Sequence, residues 1–412
     1  MPDSGVGRSE ALPEIHAGFI PLTDCAPLAV AKELGFDQAN DFNLVLHREV
    51  SWANIRDKVE AGLFDCAIML APMPLASTLG LGGRPAGPII AAMATSLNGN
   101  AITVSRGVYD EMLKHDSESA ENGGAQSAKC LARVIAQRRT GGLEALTLGM
   151  VHPFSCHNYE LRNWLAGAGI NPDEDVNLVV VPPPLIAASL KSGRIDGFCV
   201  GEPWNSVAVA DGSGVIVATK AELWGASPEK VLGLQRTFAE HNSALTLKLI
   251  RALVQACAWL DEPQNRFPAA RLLAEPRFLG VPEAILGRAL TNDLDRGTGR
   301  MGNSAAQAII FKKEDANVPR HAHAAWLLAQ MIRWGQVRAP FDIAEIARET
   351  YRPDLHLEAV SGAGSATCDA LASTAIDAAF FAAEHFDPDA PLAYLAGLAM
   401  RDSQVDLSLF GP

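Results

Sequence analysis

The N-terminal stretch MPDSGVGRSEALPE has no charged segment leading into an apolar one, so it does not read as a secretory signal. No run of apolar residues is expected to be long enough to cross a bilayer. Cysteine is scarce and unpaired in pattern: seven residues, scattered, with no CxxC, which excludes a disulfide framework and fits a reducing cytoplasm. GxSxG, P-loop, GxGxxG, HExxH and DFG-type motifs are all missing, so nothing positive favours an enzyme. Basic residues are outnumbered, 34 Lys and Arg against 47 Asp and Glu. The net charge of −13 argues against direct nucleic-acid binding, whose affinity comes from neutralising phosphates. What the 412 residues do contain, 48% of them apolar, is ample for a core spread over two or three domains.

The most informative feature is an internal duplication. KVEAGLFDCAIMLAPMP, from Lys58, is answered by LKSGRIDGFCVGEPW, from Leu190. Gly62, Asp65 and Pro72 correspond to Gly193, Asp196 and Pro203, each 131 positions on. Each copy reads as a helix end stopped by Gly, an Asp-closed turn and a short buried strand. Upstream, IHAGFIPLTDCAP aligns with LTLGMVHPFSCHN at the same offset, and NLVL (from Asn43) aligns with NLVV (from Asn177). Repeated strand–helix units predict an α/β fold, with a mostly parallel sheet and helices on both faces in each half. Two related lobes meet at a cleft, where small ligands bind.

Along the chain, Ser51 is placed as N-cap of a helix opening on Trp52. PIIAAMATSLNGNAITVS reads as two strands joined at Asn98-Gly99-Asn100. GGRPAGP (82–88) and DSESAENGGAQSA (116–128) read as loops, the latter mobile. Ser227-Pro228-Glu229 gives a helix-start signal for ASPEKVLGL. Residues 243–274 and the PRHAHAAWLLAQMIRWG stretch read as amphipathic helices, with an Ala-rich tail from Gly362.

Adjacent Cys156 and His157 are a poor nucleophile and base, because neighbours seldom converge on one atom. His321 and His323 point apart at a helix start, so packing explains them better than metal ligation. Asp65 and Asp196 are turn residues rather than a catalytic pair. The remaining group is rich in donors: the indole of Trp52, the side-chain amide of Asn100, His157 at a helix start, and the ammonium of Lys230. Taken singly, each has an ordinary structural explanation. Convergent, they form a box for a small oxyanion.

GFIPLTDCAPLAVAKELGF, SWANIRDK, LAPMPLASTLGLGG, NGNAITVS, LRNWLAGAGI, GEPW, PEKVLG and HAAWLLAQMIRWG together resemble the nitrate-binding proteins of the ABC-transporter nitrate/bicarbonate family, over about residues 14–352. The resemblance implies a two-lobed, type II periplasmic-binding-protein-like fold with a helix-rich C-terminal region. It divides the chain into 13–97 plus 226–352, 98–225, and a C-terminal helical extension, 353–412. It implies that Trp52, Asn100, His157 and Lys230 hold the anion, with Asn100 standing where the family has a glutamine. Bicarbonate-binding relatives add acidic, metal-assisted coordination; keeping Trp52 and Lys230 points to nitrate or nitrite, without metal or cofactor. Lacking the signal and lipobox of transport members, the chain resembles the family's cytoplasmic nitrate/nitrite sensors, which release an ANTAR-type antiterminator on binding ligand and so induce nitrate assimilation. The alternatives are the solute-binding component of an ABC nitrate transporter and an enzyme on the same fold.

Overall fold

The computed structural model describes residues 11–81, 89–291, 293–299, 309–337, 339–361, 376–380, 384–401 and 404–411. Eleven strands form two sheets: β1 (Glu14–Phe19), β2 (Asn43–Arg48), β3 (Cys66–Leu70), β4 (Ile89–Asn98), β5 (Asn100–Ser105), β6 (Thr147–Met150), β7 (Asn177–Val180), β8 (Gly197–Gly201), β9 (Gly214–Thr219), β10 (Pro228–Gln235) and β11 (Ile309–Ile310). The first sheet runs β11-β4-β10-β3-β1-β2 and the second β7-β6-β8-β5-β9. Thus β2-β1-β3-β10-β4 repeats as β7-β6-β8-β5-β9, and each half lends the other its antiparallel strand. The sequence GGRPAGP lies outside the described residues.

The duplicated corners are built alike. His16 N donates to Asp65 Oδ2 at 2.8 Å, and Thr147 N donates to Asp196 Oδ2 at 2.8 Å. Both donors and both acceptors are 131 residues apart. Gly62 and Gly193 both sit at φ +70°, a left-handed conformation that strains any other side chain. The carboxylate thereby ties the corner to the start of the neighbouring strand, which is why Asp recurs there.

Three expectations about strands, loops and helix starts are corrected. The sheets are mixed, not mostly parallel: β1 pairs parallel with β2 and β3, while β10 is antiparallel to β3 and β4. Strands β4 and β5 are joined at Asn98-Gly99-Asn100 as expected, and Asn98 (φ 61°) and Gly99 (φ 95°) swing the chain from one sheet into the other. Residues 116–128 form helices, Ser117–Asn122 and the start of Gly124–Thr140. Asp116 caps the first, and Ser127 Oγ donates to Val217 O at 3.1 Å, so small side chains there serve close packing on β9. Finally, Pro228–Gln235 is a strand, not a helix start. Hydrogen bonding on both edges and burial of Val231, Leu232 and Leu234 override the local cap signal, and Pro228, lacking an N–H, is tolerated at the strand's first position.

Helix Ser243–Asp261 is long and apolar enough by composition to cross a membrane, contrary to expectation. Here Leu249, Ile250, Leu253, Ala256, Cys257 and Leu260 are buried in the core beside the first sheet. Helix His321–Arg333 spans both halves. It packs on helix Pro72–Thr78 and also on helix Cys156–Ala166, where Trp326 meets Tyr159 edge-on at 6.4 Å and Gln330 accepts from Asn163 at 3.0 Å. The halves also touch through Thr23, whose N and Oγ1 donate to Glu202 O at 2.8 and 3.1 Å, and through Trp204 Nε1, which donates to Pro21 O at 3.0 Å. The C-terminal region adds helices Pro353–Ser361 and Pro391–Ala396 and a two-stranded pair, Ile376–Phe380 with Glu384–Phe386.

Candidate functional site

Two serine caps place the first pair of side chains. Ser51 accepts from Asn54 N at 3.2 Å, making Trp52 the first residue of helix Trp52–Glu60. Ser155 accepts from Asn158 N at 3.0 Å, making His157 the second residue of helix Cys156–Ala166. Asn100 opens β5, and Lys230 sits in β10 opposite Leu70 of β3. All four side chains are buried.

Glu229 draws them together. Its carboxylate lies 2.5 Å from Lys230 Nζ, accepts from Asn100 Nδ2 at 2.6 Å, and stands 3.5 Å from His157 Nε2. Lys230 Nζ also lies 5.6 Å from the centre of the Trp52 ring and 2.9 Å from Asp24 Oδ2. Beneath them Lys220 Nζ bridges Glu160 Oε1 and Glu229 Oε2, each at 2.6 Å, and donates to Pro228 O at 2.6 Å. Sequence reading missed Asp24, Glu160, Lys220 and Glu229. Glu229 lies inside the PEKVLG block, where Ser227 and Pro228 signal a helix start, and Cys156 and Glu160 stand four apart on one helix face.

The electrostatics follow from who touches whom. Burial tends to raise the Glu229 carboxyl, but Lys220, Lys230 and His157 outweigh it and hold it well below the usual range. Burial wins at Glu160, which has one ammonium neighbour in Lys220, and at Asp24, and both are raised. For Lys220 and Lys230 burial is overcome by the surrounding carboxylates, so both stay charged. Burial, with Lys230 and Lys220 nearby, pushes His157 down to about 3 despite Glu229, leaving a neutral ring.

Several buried polar atoms here have no hydrogen-bond partner: Trp52 Nε1, His157 Nδ1 and Nε2, and Asn100 Oδ1. Such orphans are uncommon in folded proteins, and here they are the atoms a small polar ligand could engage. The Asn100 amide nitrogen, expected to face an anion, is instead engaged by Glu160 (3.1 Å) and Glu229, so its oxygen is what remains unpaired. Cys156, Glu160 and Glu229 lie within 4.8 Å of one another, a spacing a metal could use. They do not fit one: Lys220 already supplies the cation between the carboxylates, and burial pushes the Cys156 thiol up while it donates to Pro228 O at 3.3 Å.

Burial also makes the chain sensitive to acid. Burial holds His157 and His323 at about 3 and His152 and His356 at about 4, all below the free value. Below pH 6.5 the unfolded chain takes up protons that the fold refuses, so stability present at neutral pH is lost as pH falls towards 4. Each such group contributes roughly 1.4 kcal/mol per pH unit while it applies. Glu202, raised by burial to about 7, acts oppositely, favouring the fold below that pH, as do Asp24 and Glu160; four depressed histidines stand against these three raised carboxyls, with Glu229 adding to the loss at the acid end. The urea midpoint is expected to drop steadily from pH 6.5 to pH 4; a midpoint that rose over that range would contradict the balance.

Residues 8–274 match the NMT1-like family. The chain is 38% identical over 393 residues, 95% of its length, to the nitrate import ATP-binding protein NrtC of Synechocystis, and spans about half of that longer protein, 56%. It is 32% identical over 408 residues to the nitrate/nitrite binding protein NrtA of Synechococcus elongatus, covering 97% of this chain and 89% of that one. The crystal structure of the periplasmic nitrate-binding protein NrtA from Synechocystis superposes with a TM-score of 0.84 at 27% identity, over 94% of this chain and 98% of the other. The two-sheet architecture is therefore that of a periplasmic-binding-protein-like fold. On the family match and the shared length with NrtA, the chain belongs to the NMT1-like family, within its nitrate/nitrite-binding NrtA-like group.

Proposed function

We propose that this protein binds nitrate or nitrite between its two sheets, on Trp52, His157 and Lys230, with Asn100 beside them free to donate once its amide leaves the carboxylates. The observation that carries the reading is the group of unpartnered atoms, Trp52 Nε1 and both His157 ring nitrogens, gathered about the Lys230 ammonium in a fully buried site. An indole N–H, an imidazole and an ammonium suit a planar monoanion that has no proton to give. The names of the relatives, a nitrate/nitrite binding protein and a nitrate import ATP-binding protein, support the same ligand. Calorimetric titration of the pure protein is expected to show saturable binding of nitrate or nitrite and weaker binding of bicarbonate. No heat with either nitrogen oxyanion rejects the reading.

Downstream of binding, the protein acts as a cytoplasmic sensor: the anion favours the closed form, and an ANTAR-type antiterminator held by the open form is released by linkage. This role rests on the sequence resemblance. A second reading, the solute-binding component of an ABC nitrate transporter, is favoured by the names of the relatives. Pull-down with and without nitrate separates them: an antiterminator lost on adding nitrate supports the sensor, whereas co-purification with a membrane permease supports transport.

A further inference from the structure

The buried cluster has an uneven charge count. Lys220 and Lys230 face Asp24, Glu160 and Glu229, two ammonium groups against three carboxyl groups, all of them withdrawn from water. Lys230, the cation offered to an incoming anion, is already shared between Asp24 and Glu229. A further negative charge placed there without compensation meets a site that is short of positive charge, and in a desolvated pocket that is costly.

His157 is the group in the cluster with ring nitrogens left free to make up the difference. The His157 ring is neutral and fully buried, with neither nitrogen paired. Its Nε2 stands 3.5 Å from Glu229 Oε1, just beyond a good hydrogen bond. Protonated, the ring has two N–H donors, one for Glu229 and one for the anion. The groups facing it are Glu229 and Lys230 from β10, Lys220 from helix Lys220–Trp224, and Cys156 and Glu160 from its own helix, with Asp24 beyond Lys230. The other titratable hydrogens are in use: Cys156 donates to Pro228 O, and Cys199 Sγ lies 3.7 Å from Glu160 Oε2.

We propose that the cleft takes up one proton from water with each anion it binds, and that this proton rests on the imidazole of His157. The proposal rests on the anion-binding reading above and adds to it a stoichiometry. Burial and the two lysines keep the empty ring deprotonated, and the bound anion reverses that preference. The complex therefore holds more protons than the free protein, and affinity must fall as pH rises.

The test is calorimetry with nitrate, which does not itself titrate in the range used, from pH 8 to pH 5.5 in pairs of buffers with small and large ionisation enthalpies. Proton uptake per nitrate is expected to grow towards one as pH falls, with affinity strengthening towards tenfold per pH unit where uptake is complete. In the His157→Gln variant, which keeps an amide donor but cannot titrate, binding is expected to weaken, uptake to vanish and the pH slope to flatten. Nitrate binding without proton uptake in the unaltered protein overturns this inference alone. Uptake that persists in His157→Gln also overturns it, by placing the proton on Glu160 or Asp24. Absence of nitrate binding at every pH removes the functional reading and this inference together. Should His157→Gln fail to fold, the 15N shifts of the His157 ring in the unaltered protein decide, since the proposal requires them to move to imidazolium values on adding nitrate.

Discussion

Replacing Lys220 by methionine is expected to destabilise the fold by about 3–5 kcal/mol, the usual consequence of removing one partner from a buried ion pair. The ammonium is completely enclosed and bridges Glu160 and Glu229 at 2.6 Å each, so its loss strands the buried Glu160 carboxyl and leaves Glu229 with Lys230 as its one ammonium partner. Urea unfolding measures the effect. Removing a carboxylate charge in the same chain, as Lys220→Met with Glu160→Gln, is expected to restore part of the stability, because neighbours in one network are not additive. A Lys220→Met protein as stable as the parent would show that the bridge contributes nothing.

The second large effect concerns the ligand. Lys230→Met, which keeps the length of the side chain but not its charge, is expected to weaken nitrate binding by roughly 10- to 150-fold, the range for a hydrogen bond to a charged group. It also destabilises the empty protein, since Asp24 and Glu229 lose a shared cation. Trp52→Phe provides the contrast. It deletes an indole N–H that has no partner in the empty site, so affinity is expected to fall in a similar range while the empty protein loses only packing. Titration calorimetry and urea unfolding on both variants read the two quantities separately. Unchanged nitrate affinity in both places the ligand elsewhere.

Much of this was legible in the chain because it depends on local geometry. The Gly62–Asp65 and Gly193–Asp196 corners announce the duplication, since a left-handed turn wants glycine and a strand-start N–H wants a nearby carboxylate. Ser51 and Ser155 likewise fix where Trp52 and His157 enter their helices. The acidic half of the site was not legible. Asp24 meets Lys230 across more than two hundred residues, and Glu229, beside Pro228, carries a helix-start signal that pairing on both strand edges overrides. Residues 116–128 failed for a related reason: small polar residues suggest exposed loop, yet the same smallness lets a helix lie close on β9.

Helix His321–Arg333 gives the two halves an unequal grip on each other. Trp326, Gln330 and Arg333 are sunk among Tyr159, Trp224 and Asn163 of the second half. Three hydrogen bonds from Thr23 and Trp204 to main-chain carbonyls join the halves elsewhere. Parting the halves along the helix uncovers aromatic rings and a buried guanidinium, whereas the bonds to the carbonyls of Pro21 and Glu202 are of a kind that water can supply. The helix is thus the sewn seam between the halves, and the carbonyl contacts are a lighter fastening.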